Sequence, residues 1–190
     1  MMNKKKPRID KVVTKTGDQG FTHIIGDEKI SKASLRVDSY GNVDEVNSLI
    51  GVIISFMPEE NIAEITALNK IQYDLFIAGA DLASPSDYHV PRINETHVHH
   101  IEEFIEHYQK YLSPLQDFIL PGGTKVASLL HLARTVVRRT ERSIVYFSES
   151  EKINAFLLIY FNRLSDFFFI LARYMNKTAN ISETYCDFTK

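Results

Sequence analysis

His131-x-x-Arg134-x-x-x-Arg138-Arg139-x-Glu141-Arg142 concentrates more chemistry than any other stretch of the chain, since four of its nine arginines fall between positions 134 and 142. Arg134, Arg138 and Arg142 recur at i, i+4 and i+8, so on a helix they line one edge, opposite Val126, Leu130 and Val137. Like charges at that spacing oppose helix formation by a few tenths of a kcal/mol each, and Glu141 can pair with only one or two of them. A solvated face would mix Lys with Glu. An all-arginine edge suits planar, bidentate recognition of phosphate or carboxylate. The bland alternative is structural: Arg134 bridging to an acid on a neighbouring subunit.

A second group lies near the start of the chain. Thr14-Lys15-Thr16-Gly17-Asp18-Gln19-Gly20-Phe21-Thr22 lacks Walker A spacing and reads as neither strand nor helix. It offers two glycines for close backbone approach, one lysine and the hydroxyls of Thr14, Thr16 and Thr22. Those are groups a polyphosphate needs, although an ordinary Thr/Gly loop has them too. Lys32, beyond the Gly26-Asp27 turn, could add a second cation. In Gly41-Asn42-Val43-Asp44-Glu45-Val46-Asn47-Ser48, Asn42 reads as an N-cap and Asp44 and Glu45 as first-turn acids. Asn47, Ser48 and Gly51 form a small polar strip that predicts close contact with a helix or ligand. Asn162 and Asp166 share a face of the last helix, one turn apart, and as buried polar groups would need partners.

Other chemistry is weak. His97, His99, His100 and His107, with Glu103, are too few on one face for a structural zinc site. The inward Glu-x-x-His pairs of a di-iron bundle are absent. Cys186 reads as a plain tail residue, and one cysteine in the chain suits a reducing compartment.

The elements that must position these groups are helices. All eight Gly and six Pro lie at or before Gly123, leaving the 67 residues from Thr124 to Lys190 without either. Apolar residues recur every three or four positions from Val126 to Ile144, a turn with an N-cap is expected at Ser148–Ser150, and another helix follows to about Asn176. Earlier helices are expected after Gly41 and up to Pro58, from about Ile65 to before Pro85, and from Asn94 to about Leu112. The reading is all-α: an up-and-down bundle of five helices joined by short loops, behind an irregular N-terminal segment of about 35 residues.

At 190 residues, 44% hydrophobic, with 22 Lys and Arg against 24 Asp and Glu, the chain is expected to be one domain, 1–190. Residues 1–12 read as a flexible basic tail and 178–190 as a C-terminal tail. The net charge of −2 argues against a nucleic-acid partner. Polar residues interrupting Ala155–Leu171 argue against a membrane span. A cytoplasmic protein is expected.

Five co-linear motifs bring a family to mind. Thr14 to Gly20, Tyr40 to Gly51, Phe118-Ile119-Leu120-Pro121-Gly122-Gly123, His131 to Arg142 and Phe161-Asn162-Arg163-Leu164-Ser165-Asp166 together resemble the PduO-type ATP:cob(I)alamin adenosyltransferases over about residues 13 to 176. Departures are small: Thr124, Thr140 and an idiosyncratic 85–115 region. The resemblance implies a homotrimer with a site at each subunit interface, where the 5′-deoxyadenosyl group of ATP passes to the cobalt of cob(I)alamin and triphosphate leaves. It implies ATP contacts from Thr14, Lys15, Thr16, Gly17, Thr22, Lys32, Arg138, Arg139, Glu141, Arg142 and Asn162, with Glu141 toward Mg²⁺. Phe118 and Asp166 would face cobalamin, and Arg138, Phe118 and Asp166 would carry the reaction. Asp44 and Arg134 would form an intersubunit salt bridge. A flavin-type reductant and an adenosylcobalamin-dependent acceptor enzyme are implied partners. The alternative is a non-catalytic cobalamin carrier or nucleotide-sensing regulator of the same fold.

Overall fold

A computed structural model describes residues 13–189, so the basic tail expected at 1–12 lies outside the described residues. Five helices follow a short hairpin: β1 (Phe21–His23), β2 (Lys29–Ser31), α1 (Leu35–Phe56), α2 (Ile62–Leu82), α3 (Glu95–Gln109), α4 (Lys125–Ser148) and α5 (Ala155–Thr178). The five-helix expectation holds. Four local readings do not.

The N-terminal segment is not wholly irregular, because β1 and β2 pair antiparallel with Thr22 opposite Ile30. Gly26 and Asp27 take positive φ of 104° and 65° and make the turn between them. α1 starts at Leu35, not after Gly41. Ser34 caps it by accepting from the Val37 amide, and Asn42 sits inside the helix, donating to the Asp38 carbonyl at 2.8 Å. α5 is capped by Asn154, not by Ser148–Ser150.

One apolar stripe from each helix meets in a common core. Ile50, Ile53, Leu68, Ile71, Ile101, Leu130, Val137, Ile144, Leu157, Phe161, Leu164 and Phe168 are fully buried. Each such side chain contributes about 1.5–3 kcal/mol relative to exposure. α5 lies between α3 and α4, and α1 lies against α4 and α2. By length and composition α5 could cross a membrane, but its buried face belongs to this core.

The two ends of the bundle are fastened differently. At one end Asp81, 3% exposed, accepts from Arg92 at 2.5 Å, from the Ile93 amide at 3.1 Å and from Asn154 at 2.7 Å. Beside it Arg36 donates to the carbonyls of Leu82 and Ser84, pairs with Glu151 and lies over the Phe147 ring. At the other end the α3–α4 connection, residues 110–124, is long where a short loop was expected. The C-terminal segment is tied to it: Leu120 N–H donates to the Thr184 carbonyl and Cys186 N–H to the Phe118 carbonyl, both at 2.8 Å.

Candidate active site

A cleft of about 620 Å³ opens at that second end. Phe118 and its loop neighbours form one wall, Arg134 and Arg138 of α4 another, and Ser165, Asp166 and Phe169 of α5 the third. Four residues singled out from sequence, Phe118, Arg134, Arg138 and Asp166, thus share one cavity. α4 brings its two arginines there because its opposite stripe, from Val126 through Ile144, is in the core. Asp117 shapes the loop by accepting from the Phe118 amide at 2.7 Å, and the Phe118 ring is left 74% exposed.

Arg134 is the unusual member. Its guanidinium lies 5.8 Å from the Phe169 ring, and its buried Nε has no hydrogen-bond partner among the described residues. Burial, then the neighbouring charge of Arg138, pulls its pKa down. A cation so placed calls for an anionic partner beyond the described residues. His131, one turn earlier, is buried with Nδ1 unpartnered and its ring 6.0 Å from Phe169. Its pKa is lowered by burial and by Arg134, against a smaller opposing pull from Glu183.

Along the same edge of α4, Arg138 and Arg142 are exposed and form no ion pair among the described residues. Arg142 donates to the Arg138 carbonyl at 3.1 Å. Arg139 pairs instead with Glu45 of α1. Glu141 pairs with no arginine among the described residues; it accepts from the Asn162 amide at 3.3 Å, while Arg163 donates to the other end of that amide at 3.0 Å. Asn162 and Asp166 are exposed, which corrects the expectation that they are buried. Asp166 lines the cleft, and Asn162, one turn earlier, is held between Glu141 and Arg163.

The Thr/Gly loop forms its own cradle. Thr14 and Thr16 hydroxyls lie 3.0 Å apart, Lys15 takes φ 60° and Gly20 φ 81°. Lys32 closes the cradle: its N–H donates to the Gly20 carbonyl at 2.9 Å. A Cβ on Gly17 would stand 2.9 Å from Lys32 Nζ, so only glycine lets that ammonium lie over the loop. Thr22 hydrogen-bonds the half-buried Tyr40 of α1, whose pKa is raised by burial despite that bond. Among the described residues no hydrogen bond or ion pair joins this loop to Arg138, Arg139 or Arg142. Nor does one join Asp44 to Arg134, which line separate clefts. The polar strip of α1 meets α2: Gln72 donates to the Asn47 carbonyl at 3.0 Å. Of the histidines, His97 completes the capping box of α3 with Asn94, and His99 lies 3.4 Å from Glu103.

Several contributors escaped the sequence reading. Phe169 is the pillar under the site, with the guanidiniums of Arg134 and Arg173 at 5.8 and 5.9 Å from its ring. Its position three residues after Asp166 was a usable signal. Phe188 meets Phe118 edge to face, and Glu45 and Glu183 serve as arginine partners. Long-range pairing leaves no periodic trace, so nothing in the sequence pointed to these three.

The fold and its clefts define a five-helix bundle with an arginine-edged cleft beside an exposed aromatic, suited to an anionic ligand next to a large, partly apolar one. A cobalamin adenosyltransferase family model matches residues 12–175, and the chain belongs to that family. It is 43% identical over 175 residues to the corrinoid adenosyltransferase of Bacillus subtilis (strain 168), covering 91% of this chain and 90% of that one. The human corrinoid adenosyltransferase is 36% identical over 180 residues, 90% of this chain and 70% of that one. Among solved structures, a variant PduO-type ATP:corrinoid adenosyltransferase from Lactobacillus reuteri, complexed with cobalamin and ATP, superposes with a TM-score of 0.90. It is 41% identical and covers 94% of this chain and 97% of that one.

Proposed function

We infer that this chain transfers the 5′-deoxyadenosyl group of ATP to the cobalt of cob(I)alamin, yielding adenosylcobalamin and inorganic triphosphate. The observation that carries this reading is the meeting of Phe118, Arg134, Arg138 and Asp166 in one cleft. The Co–C5′ bond forms with the electron pair of cobalt(I), and the C5′–O bond breaks with its pair leaving on triphosphate. Cobalt is the nucleophile, so no Ser, Cys or general base is required. The protein's task is to align C5′ with cobalt and to stabilise charge on the leaving oxygens. Arg138, Arg139, Arg142, Lys32 and the Thr14–Thr22 loop are the groups for the second task. Asn162, oriented from both ends of its amide, is a further ATP contact.

Glu141 is the carboxylate on the arginine edge, and one carboxylate plus phosphates and waters is a fitting Mg²⁺ environment. It would hold the hydrated ion, which neutralises triphosphate charge. Phe118 and Asp166 face the corrin, and an aromatic there helps keep the lower face of cobalt free of its base. Cobalt(II) without axial ligands accepts an electron more readily, from a reduced flavin or flavoprotein.

The unpartnered Nε of Arg134, with Asp44 in a separate cleft, supports a homotrimer in which these two residues pair across subunits. Each Thr/Gly cradle would then complete a neighbour's arginine edge. The exposed, unpaired Arg138 speaks for catalysis over a mere cobalamin carrier. The test is to mix the protein with ATP, Mg²⁺ and chemically reduced cobalamin and follow the visible spectrum. Adenosylcobalamin is expected. No product at any protein concentration would sink the reading.

A further inference from the structure

We propose that Arg173 is a positioning residue for the cobalamin side of the site, acting through the loop that carries Phe118. The proposal rests on the adenosyltransferase reading and adds to it a residue outside the cleft.

Arg173 lies on α5 and is 6% exposed. Its guanidinium grips two otherwise separate pieces of chain. Nη2 donates to the Ser113 carbonyl at 2.8 Å, at the start of the 110–124 loop. Nε and Nη2 hold both carboxylate oxygens of Glu183, at 2.5 and 3.2 Å, where the C-terminal segment begins its return. From Glu183 onward that segment runs beside the loop: Thr184 takes the Leu120 amide, Tyr185 bridges to Ile119, and the Cys186 amide binds the Phe118 carbonyl. One turn along α5, Asn176 secures the far end of the loop, donating to the Gly122 carbonyl at 2.9 Å and accepting from the Thr124 amide at 3.0 Å.

The loop therefore has fixed ends, and its middle is held by a strand whose own anchor is Glu183. Only a planar fork can hold a carboxylate at two points and a carbonyl beside it, so lysine cannot replace Arg173. If the fork is lost, the strand is free to leave and the Phe118 backbone loses its one main-chain partner in that strand. ATP groups on the α4 edge and in the Thr/Gly cradle are untouched by this. The effect is selective, which a merely structural anchor would not produce.

Arg173→Lys and Cys186→Pro are compared with the wild type, the second removing the N–H that donates to Phe118 at a position outside every helix. Amide hydrogen exchange in the free protein is read at Leu120, alongside steady-state adenosylation and the visible spectrum of bound cob(II)alamin. In both variants the Leu120 amide is expected to exchange faster. Turnover from cob(II)alamin with a reductant is expected to fall about tenfold or more, with loss of the spectrum of base-free cobalt. The KM for ATP is expected to stay within about twofold of the wild type. An unchanged Leu120 amide, unchanged turnover, or an equal rise in the KM for ATP would overturn the proposal. If Arg173→Lys does not fold, Glu183→Gln, which loosens the same grip with Arg173 in place, is read by the same measurements and decides. Should the wild type make no adenosylcobalamin, the proposed function fails, while hydrogen exchange still reports whether Arg173 holds the loop.

Discussion

Phe118 and Phe188 meet with ring centroids 6.3 Å apart and planes at 85°, although one lies in the α3–α4 connection and the other near the end of the chain. Edge-to-face pairs of this kind contribute about 0.5–1.5 kcal/mol beyond burial. Both rings are largely exposed, at 74% and 73%, so they form a lip over the cleft and not a piece of core. Phe118→Ala is expected to cut adenosylation about tenfold or more by misaligning the cobalt side, with ATP affinity little changed. Phe188→Ala should shift the same quantity in the same direction, by less. Titration of ATP against each variant separates the two halves of the site.

Arg138→Ala is expected to lower turnover by about a hundredfold or more, the scale of losing one preorganised charge partner of a leaving group. The exposed side chain has no ion pair to lose among the described residues, so the melting temperature should hold. Undiminished activity would remove Arg138 from the site.

Arg134→Ala and Asp44→Ala are each expected to shift the proposed homotrimer toward monomer in light scattering. Exchanging the two charges, Arg134→Asp with Asp44→Arg, should restore part of the assembly. Equal trimer populations in all of these proteins would contradict the intersubunit pair.

Gly123→Ala tests the far anchor of the loop. Gly123 has φ +110°, and a Cβ there would stand 2.1 Å from the Asn176 Oδ1. The backbone strain alone costs about 1–3 kcal/mol, before any displacement of Asn176. A clear drop in melting temperature is expected, together with lost turnover. A melting temperature equal to the wild type would show that Asn176 can move away freely.

Asp74→Asn probes a buried acid. Burial raises the Asp74 carboxyl above its ordinary 3.8; Lys70, then His97, the Tyr160 hydroxyl and His100 oppose that rise. A group raised on folding contributes stability that is complete below about pH 4 and lost as pH climbs through the raised native value. Asparagine imitates the protonated form at every pH. The variant is therefore expected to melt a few degrees higher than wild type near neutrality, with the gap closing toward about pH 4. A constant difference across that range would count against this origin.

Much of this architecture was legible because period and punctuation carry it. A stretch free of Gly and Pro from Thr124, with an apolar residue every third or fourth position, can hardly be anything but helix. α1 was misjudged because Gly41 looks like a break. It sits on an open surface of the helix, with nothing within 4 Å of the place a Cβ would occupy, so it interrupts nothing. Arg134 and Arg138 were legible as a pair by their spacing, and both line the same cleft. The Cys186–Phe118 pairing was not, since a single hydrogen bond between distant segments requires no particular side chain. Arg139 illustrates the remaining gap: its spacing suggests the arginine edge, while its ion pair is with Glu45 on another helix.

The fastening of the two ends has a further consequence for heat resistance. The end stapled by Asp81 and Arg36 joins α1 and α2 to the segments that lead into α3 and α5. At the cleft end Arg173 and Asn176 of α5 grip only one loop and its returning strand. On warming, the cleft end is expected to yield first, so inactivation should set in below the temperature at which the helices melt. Bound cobalamin would narrow that interval by bracing the weaker end, whereas filling the Thr/Gly cradle alone would leave it open.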